Sequence, residues 1–306
     1  MQTTKHTPVM LEQSINGMNI QKKGIYIDAT YGFGGHSNKI LSLLDDEGRL
    51  FAVDKDINSI KVAEKALSGD KRFSLKHGCF SSLGDYSKKW GIYGAVNGIL
   101  FDLGVSSEHL DNPERGFSFR QNGPIDMRFD QSCGLSACEW IDSVDEQTLY
   151  KIIKRYGEER YSKRIAREII YHREKEKINN THDLVKVIDR AIPKNEKNKH
   201  NATRTFQAIR IFINNELEIL KEALQNSYNI LAPKGRLVLI TYHSLEDRVI
   251  KDFLTYTDKS LSAPRDLPLK NEFLTKMYNL VVKSMKPHDT EVSSNPRSRS
   301  AKLNIL

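Results

Sequence analysis

The stretch from Gly24 to Asp54 restricts the fold more than any other. It opens with Gly24-Ile-Tyr-Ile-Asp28, a short apolar run of strand type, and continues Ala-Thr-Tyr-Gly32-Phe-Gly34-Gly35-His36-Ser37. Gly32, Gly34 and Gly35 mark a tight turn, because glycine alone enters left-handed backbone without strain. Ser37 to Leu44 then has the spacing of a helix that packs back on a sheet, and Leu50 to Val53 reads as the next strand. This is half of a βαβ unit. Asp54 ends it about twenty residues beyond the glycines, where doubly wound folds place the acid that accepts from ribose hydroxyls. A nucleotide-like cofactor is expected at the turn.

The choice of cofactor turns on two positions. A dinucleotide fingerprint wants a third glycine where this chain has Ser37, and Asp28, on the strand end before the loop, would repel a pyrophosphate. The same acid could accept from a cationic or amino-bearing ligand, which favours S-adenosylmethionine over NAD.

The chain has 306 residues, 39% hydrophobic and 28% charged, enough for one large domain or two ordinary ones. No apolar run is long enough to cross a bilayer, and the first residues lack a signal peptide's apolar region, so a cytoplasmic protein without membrane association is expected. Cys79, Cys133 and Cys138 are odd in number and lack Cys-x-x-Cys spacing, so neither a disulfide framework nor a metal site is expected. The net charge of +8 is localised. Lys151 to Arg210 carries 17 Lys and Arg against 8 Asp and Glu, and the remaining chain sums to −1. Such a lobe suits a polyanion, here nucleic acid.

Taken in order, Pro8 to Met18 reads as a helix, Ile57 to Leu67 as another, and Arg72 to His77 as a strand. A turn follows, placing Phe80 at the carboxyl edge, against either an adenine face or the core. Val96 to Asp102 is the fourth strand, and Asp102-Leu-Gly-Val-Ser106-Ser107 is read as the catalytic edge, where open α/β sheets collect ligands. The next strand of this type is Gly235 to Thr241, so a second domain is inserted. It begins with an aperiodic loop from Arg115 to Asp130. Phe117, Phe119 and Arg128 in that loop are candidates to hold a splayed base, the alternative being that the phenylalanines anchor the loop to the core. Leu135 to Pro193 is helical, a polar linker follows to His200, and Thr205 to Asn229 reads as one long helix with Phe206, Ile209, Ile213, Leu217, Leu220 and Leu224 on a core stripe. Beyond the fifth strand His243 is a candidate to face the substrate, and Ser244 and Asp247 have capping-box spacing. Leu280 to Lys283 and Lys302 to Leu306 supply the last strands, joined by a basic loop from Asn295 to Arg299.

Several blocks carry a resemblance: Lys5-His6-Thr-Pro-Val, Asp28 to Ser37, Asp102 to Ser107, Glu114 to Phe119, Gly123 to Arg128, Tyr156 to Arg160, Ala202 to Ala208, Phe212 to Leu217 and Tyr242 to Arg248. Together they resemble the bacterial 16S rRNA (cytosine N4) methyltransferases, the small-subunit methyltransferase H or MraW family, nearly end to end. The resemblance implies an α/β protein with the class I (Rossmann-like) S-adenosylmethionine methyltransferase sheet and an inserted all-α domain, acting on a decoding-centre cytidine of 16S rRNA in the small ribosomal subunit. The expected boundaries are 1–110 with 205–306 for the methyltransferase domain and 111–204 for the substrate-recognition insert. By the same resemblance Gly34, Gly35 and His36 form the cofactor loop, Asp54 is the ribose acid, and Phe80 and Asp102 meet the adenine and methionine sides. His109 is a further cofactor-contact candidate, standing where the family commonly has Gln. An NAD-dependent oxidoreductase and a non-enzymatic rRNA-binding assembly factor are the rival readings. The sequence leaves the oligomeric state open.

Overall fold

The computed structural model describes residues 8–67, 69–193, 200–257 and 278–306. The Lys5-His6-Thr7 part of the first block and most of the linker, 194–199, lie outside them. In chain order the elements are α1 (Leu11–Met18), β1 (Ile25–Asp28), α2 (Gly35–Leu43), β2 (Arg49–Asp54), α3 (Ile57–Leu67), β3 (Phe73–His77), α4 (Leu83–Lys89) and β4 (Val96–Asp102). Then come α5 (Ser107–Asp111), α6 (Ala137–Ser143), α7 (Glu146–Gly157), α8 (Ser162–Arg173), α9 (Thr181–Ala191) and α10 (Ala202–Asn214). The chain closes with α11 (Glu216–Ile230), β5 (Leu231–Thr241), α12 (Ser244–Thr257), β6 (Val282–Met285), α13 (Asp289–Ser294) and β7 (Lys302–Ile305).

The strands form one sheet in the order β3-β2-β1-β4-β5-β7-β6. The first five are parallel, and β7 runs antiparallel to both β5 and β6. From β1 the chain moves outward through β2 and β3, then returns to place β4 on the other side of β1. That reversal opens a crevice beyond the carboxyl ends of β1 and β4, the ligand position of open α/β sheets. Alternate residues of each strand face opposite layers. Ile27, Phe51, Ile99, Phe101 and Leu239 pack with Leu83, Leu220, Leu224 and Phe253 on one side. Tyr26, Leu50, Leu100 and Ile240 pack with Ile15, Met18, Ile40 and Leu41 on the other.

Two compact units emerge, 1–104 with 217–306 and 105–216. The second has its own core. Leu149, Ile153, Ile165, Ile169, Leu184, Ile188, Phe206 and Ile209 fall in one buried cluster, at the one-turn spacings that the apolar stripes of α7 to α10 dictate. The breaks therefore fall after Gly104 and Glu216 rather than at 110 and 204. The long helix expected from Thr205 to Asn229 is two helices. Asn215 takes left-handed φ of 52° between them, a conformation asparagine tolerates better than most residues. Beside it the Asn214 amide donates to Met127 O at 2.7 Å and its Oδ1 accepts from Phe129 N at 2.8 Å. The single stripe is thus divided: Phe206 and Ile209 bury in the helical core, Leu220 and Leu224 in the sheet core. Among the described residues no helix is long and apolar enough to cross a membrane.

Candidate cofactor pocket and catalytic edge

Each of β1, β2 and β4 ends in an acid, and the three acids have different environments. Asp28 is 1% exposed. Its Oδ2 accepts from Ser37 Oγ at 2.7 Å and its Oδ1 from Thr30 N at 3.2 Å. Burial is the main reason that its carboxyl is pushed up to about 6, against the lowering effect of those bonds. The expectation that Asp28 would accept from a ligand is therefore corrected, because its carboxyl is buried and offers no open face, and Ser37, standing where a dinucleotide fold has its third glycine, braces it inside the turn. What Asp28 exerts on the crevice is a field.

The turn itself excludes side chains. Gly32 and Gly34 take φ of 55° and 74°. A Cβ on Gly34 would stand 2.3 Å from Tyr31 Oη, and one on Gly35 would stand 2.1 Å from Pro8 Cγ. Gly35 begins α2, so His36 sits in its first turn, buried. At the end of β2, Asp54 accepts from Gly32 N at 2.6 Å and from Asp56 N at 2.7 Å, one bond on each carboxylate oxygen. These bonds fix the orientation of the Asp54 carboxylate at the base of the turn. Phe80 opens a short 3-10 turn, Phe80–Ser82, directly after β3. Half-buried, it meets Phe101 edge-on at 5.4 Å.

Asp102 is held on three sides. Its N–H donates to Thr30 Oγ1 at 2.7 Å, its Oδ1 accepts from the Tyr242 hydroxyl at 2.7 Å, and its Oδ2 lies 3.8 Å from His36 Nδ1. Burial raises the carboxyl to about 7; the Tyr242 bond opposes the rise and the Asp28 charge adds to it. Tyr242 and Thr30 were not singled out from the sequence. The one signal for Tyr242 was its place directly after β5, the strand that pairs with β4.

His243 follows Tyr242 and is tied to the start of α12. Its Nε2 lies 3.3 Å from Glu246 Oε1, and Glu246 also accepts from Tyr242 N at 2.7 Å and His243 N at 3.1 Å. The carboxylate serving the N–H groups ahead of α12 is therefore Glu246, not the Asp247 of the expected capping box. Asp247 instead accepts from Thr241 Oγ1 at 2.7 Å and from Lys302.

The remaining candidates lie in the helical unit. Ser106 caps α5: its Oγ accepts from His109 N at 3.2 Å, while Ser106 N donates to His109 Nδ1 at 3.1 Å. Ser107 is the first residue of that helix. The His109 ring packs on Phe117 at 4.8 Å and Phe129 at 5.2 Å, and Phe117 stacks on Phe129 at 5.3 Å. Phe119 packs on Phe206 and His200. Phe117 is only 7% exposed, so its ring is used in packing and is not open to a base. The anchoring alternative accounts for it. Arg128 clasps Asp126, with Nη2 to Oδ2 at 2.7 Å, and donates to Gly134 O at 2.9 Å. The buried Arg115 donates to the carbonyls of Arg128 and Phe129 at 2.9 and 3.1 Å. These two arginines give the aperiodic loop its fixed shape. On α7 and α8, Lys151, Lys154, Arg155, Lys163, Arg164 and Arg167 are all exposed.

The sheet-unit cluster suits a ligand bearing positive charge and hydroxyls, and it disfavours a pyrophosphate beside Asp28. Comparison with known proteins agrees in kind. The profile of the MraW methylase family matches residues 3–306. A Clostridium thermocellum protein provisionally named an rRNA-methylase aligns over 98% of this chain and 97% of its own, at 12% identity and a TM-score of 0.45. An rRNA methylase from Streptococcus thermophilus aligns over 98% and 96%, at 10% identity and a TM-score of 0.42. Likenesses that low carry no functional argument, and the family match stands on its coverage of the chain.

Proposed function

The chain belongs to the MraW methylase family, and from that premise we propose that it methylates the exocyclic N4 of a decoding-centre cytidine in 16S rRNA of the small ribosomal subunit. The methyl donor is S-adenosylmethionine, which when bound supplies an electrophilic methyl group on a sulfonium. The observation that carries the reading is Asp102, an acid at the carboxyl end of β4 whose backbone is held by Thr30 and whose carboxyl is held by the Tyr242 hydroxyl; burial pushes that carboxyl up toward neutrality. A base works best when its pKa lies near the operating pH.

In this reading Asp54 accepts from the ribose hydroxyls, Gly34, Gly35 and His36 wall the amino-acid end, and Phe80 lies against the adenine. Asp102 accepts from the target amino group. The N4 lone pair is delocalised into the ring, so an aligned acceptor helps the nitrogen pyramidalise. The Asp102 carboxylate would take the N4 proton as that nitrogen accepts the methyl group. Methylation at ring C5 would require a cysteine nucleophile. Cys79, Cys133 and Cys138 lie on neither β4 nor β5. The exposed cations of α7 and α8 are assigned to rRNA phosphates, with the helical unit as the substrate-recognition part.

The rival oxidoreductase is disfavoured by the Ser37–Asp28 pair in place of the third glycine. A purely RNA-binding factor leaves the Asp102 environment unexplained. Small subunits from a strain lacking this protein, incubated with the enzyme and labelled cofactor and mapped by mass spectrometry, test the proposal. A methyl on N4 of one cytidine is expected, and a methyl on C5 or none at all overturns it.

Asp54→Ala is expected to weaken cofactor binding by about 1.5 to 3 kcal/mol, the worth of hydrogen bonds to a charged acceptor. Calorimetry on the folded variant checks this, and unchanged affinity removes Asp54 from the site.

A further inference from the structure

We propose that Tyr242 is a positioning residue whose hydroxyl, donating to Oδ1 of Asp102, holds that carboxyl in its charged form and leaves Oδ2 toward the His36 side of the crevice. The inference rests on reading Asp102 as the working acid.

The geometry is specific. Tyr242 follows β5, Asp102 ends β4, and the parallel pairing of Asp102 with Ile240 brings them together although they are 140 residues apart in the chain. The hydroxyl-to-carboxylate distance is 2.7 Å, the length of a charge-assisted bond. Tyr242 has its own anchor, its backbone N–H donating to Glu246 Oε2 at 2.7 Å, so the main chain that carries the ring is fixed. Thr30 fixes the backbone of Asp102 from the β1 side. Together they leave the carboxyl little freedom to rotate.

The surrounding charges make the donor necessary. Asp28 at the end of β1 opposes ionisation of Asp102, as does burial; His36 on α2 stands 3.8 Å from Oδ2, and Tyr242 supplies the bond that favours the charged form. Tyr242 is itself flanked by Glu246 on α12 and Glu291 on α13. Burial and these acids, Asp102 among them, push its hydroxyl well above the ordinary tyrosine value, so it stays protonated and remains a donor wherever Asp102 titrates. An acid that must exchange protons near neutrality and a donor that cannot lose its own form a matched pair.

The test reads Asp102 directly. The protein is labelled with carbon-13 at aspartate carboxyls, and the Asp102 signal is assigned by its loss in Asp102→Asn. In the unmodified protein its titration midpoint is expected near 7. In Tyr242→Phe the midpoint should rise by about one pH unit, since one unit corresponds to the loss of a single good hydrogen bond to the charged form. A merely structural role for Tyr242 would not move it, and equal midpoints overturn the proposal. If Tyr242→Phe does not fold, site-specific replacement of Tyr242 by 3-fluorotyrosine, a stronger donor, should lower the midpoint, and no movement is then the refuting result. Product mapping on the same samples separates the two ideas. N4-methylcytidine with an unmoved midpoint removes the role of Tyr242 alone, whereas a moved midpoint without N4-methylcytidine removes the proposed reaction alone.

Discussion

Asp102→Asn is expected to lower single-turnover methylation at saturating cofactor by about a hundredfold or more, the range in which a positioned base contributes. Asparagine keeps the shape and can still accept from Tyr242, but it cannot take the N4 proton. The same substitution should stabilise the protein. An acid whose folded value of about 7 lies above its ordinary value binds protons more tightly in the folded state, so its unfavourable contribution is absent at low pH. That contribution grows as pH rises from the ordinary carboxylate range and is complete above about 7. Replacing Asp102 should therefore raise the melting temperature at pH 8 and leave it nearly unchanged at pH 4. Loss of activity with gain of stability would mark Asp102 as a group retained for chemistry. Methylation at the wild-type rate would end the argument for its chemical role.

Reversing three charges on α8, Lys163→Glu with Arg164→Glu and Arg167→Glu, is expected to weaken binding to small-subunit rRNA by roughly 10- to 100-fold at moderate salt. Each lost phosphate contact removes about one counterion from the release that drives binding. The slope of log affinity against log salt should flatten by about 2 to 3. All three side chains are exposed, while Ile165 and Ile169 of the same helix are fully buried in the helical core. The helix therefore keeps its packing, and cofactor affinity, assigned in the proposal to residues of the sheet unit, should not change. Filter binding across a salt series checks both quantities. If affinity and slope survive the reversal, the helical unit serves some purpose other than holding RNA.

The parts of the fold read correctly from the sequence are those fixed by local pattern. Strand β1, the glycine turn, α2 and the acid at the end of β2 follow one another within thirty-odd residues, and each has its own periodicity or turn residue. Asp102 was found because an apolar strand ended in an acid. What was missed is non-local. Tyr242 and Thr30 meet Asp102 across strand pairings 140 and 72 residues apart in the chain, and no spacing in the sequence announces either bond. The break at Asn215 was hidden because an apolar stripe continued through it, and the bond beside it, the Asn214 amide on Met127 O, reaches a partner 87 residues upstream. Asp28 was given a ligand because its partner, Ser37, was considered only as a missing glycine. The aromatic loop from 115 to 130 has no periodicity, and no local pattern marks Arg115 as the buried residue that bonds its carbonyls.

The central pairing of the sheet carries a further consequence, for the order in which the molecule comes into being. Phe101 of β4 pairs with Leu239 of β5, and the whole helical unit lies between them in the chain. Closing so long a loop is entropically costly and slow, whereas the helix pairs of the inserted unit form from near neighbours in sequence. During synthesis β1 to β4 emerge early and must wait, with one flank of β4 unpaired, until the last third of the chain leaves the ribosome. The bond between Tyr242 and Asp102 cannot exist before then. A chain arrested after the helical unit would hold its glycine turn and its acids but lack β5 and Tyr242, so the proposed catalytic edge is assembled only after the helical unit has been made.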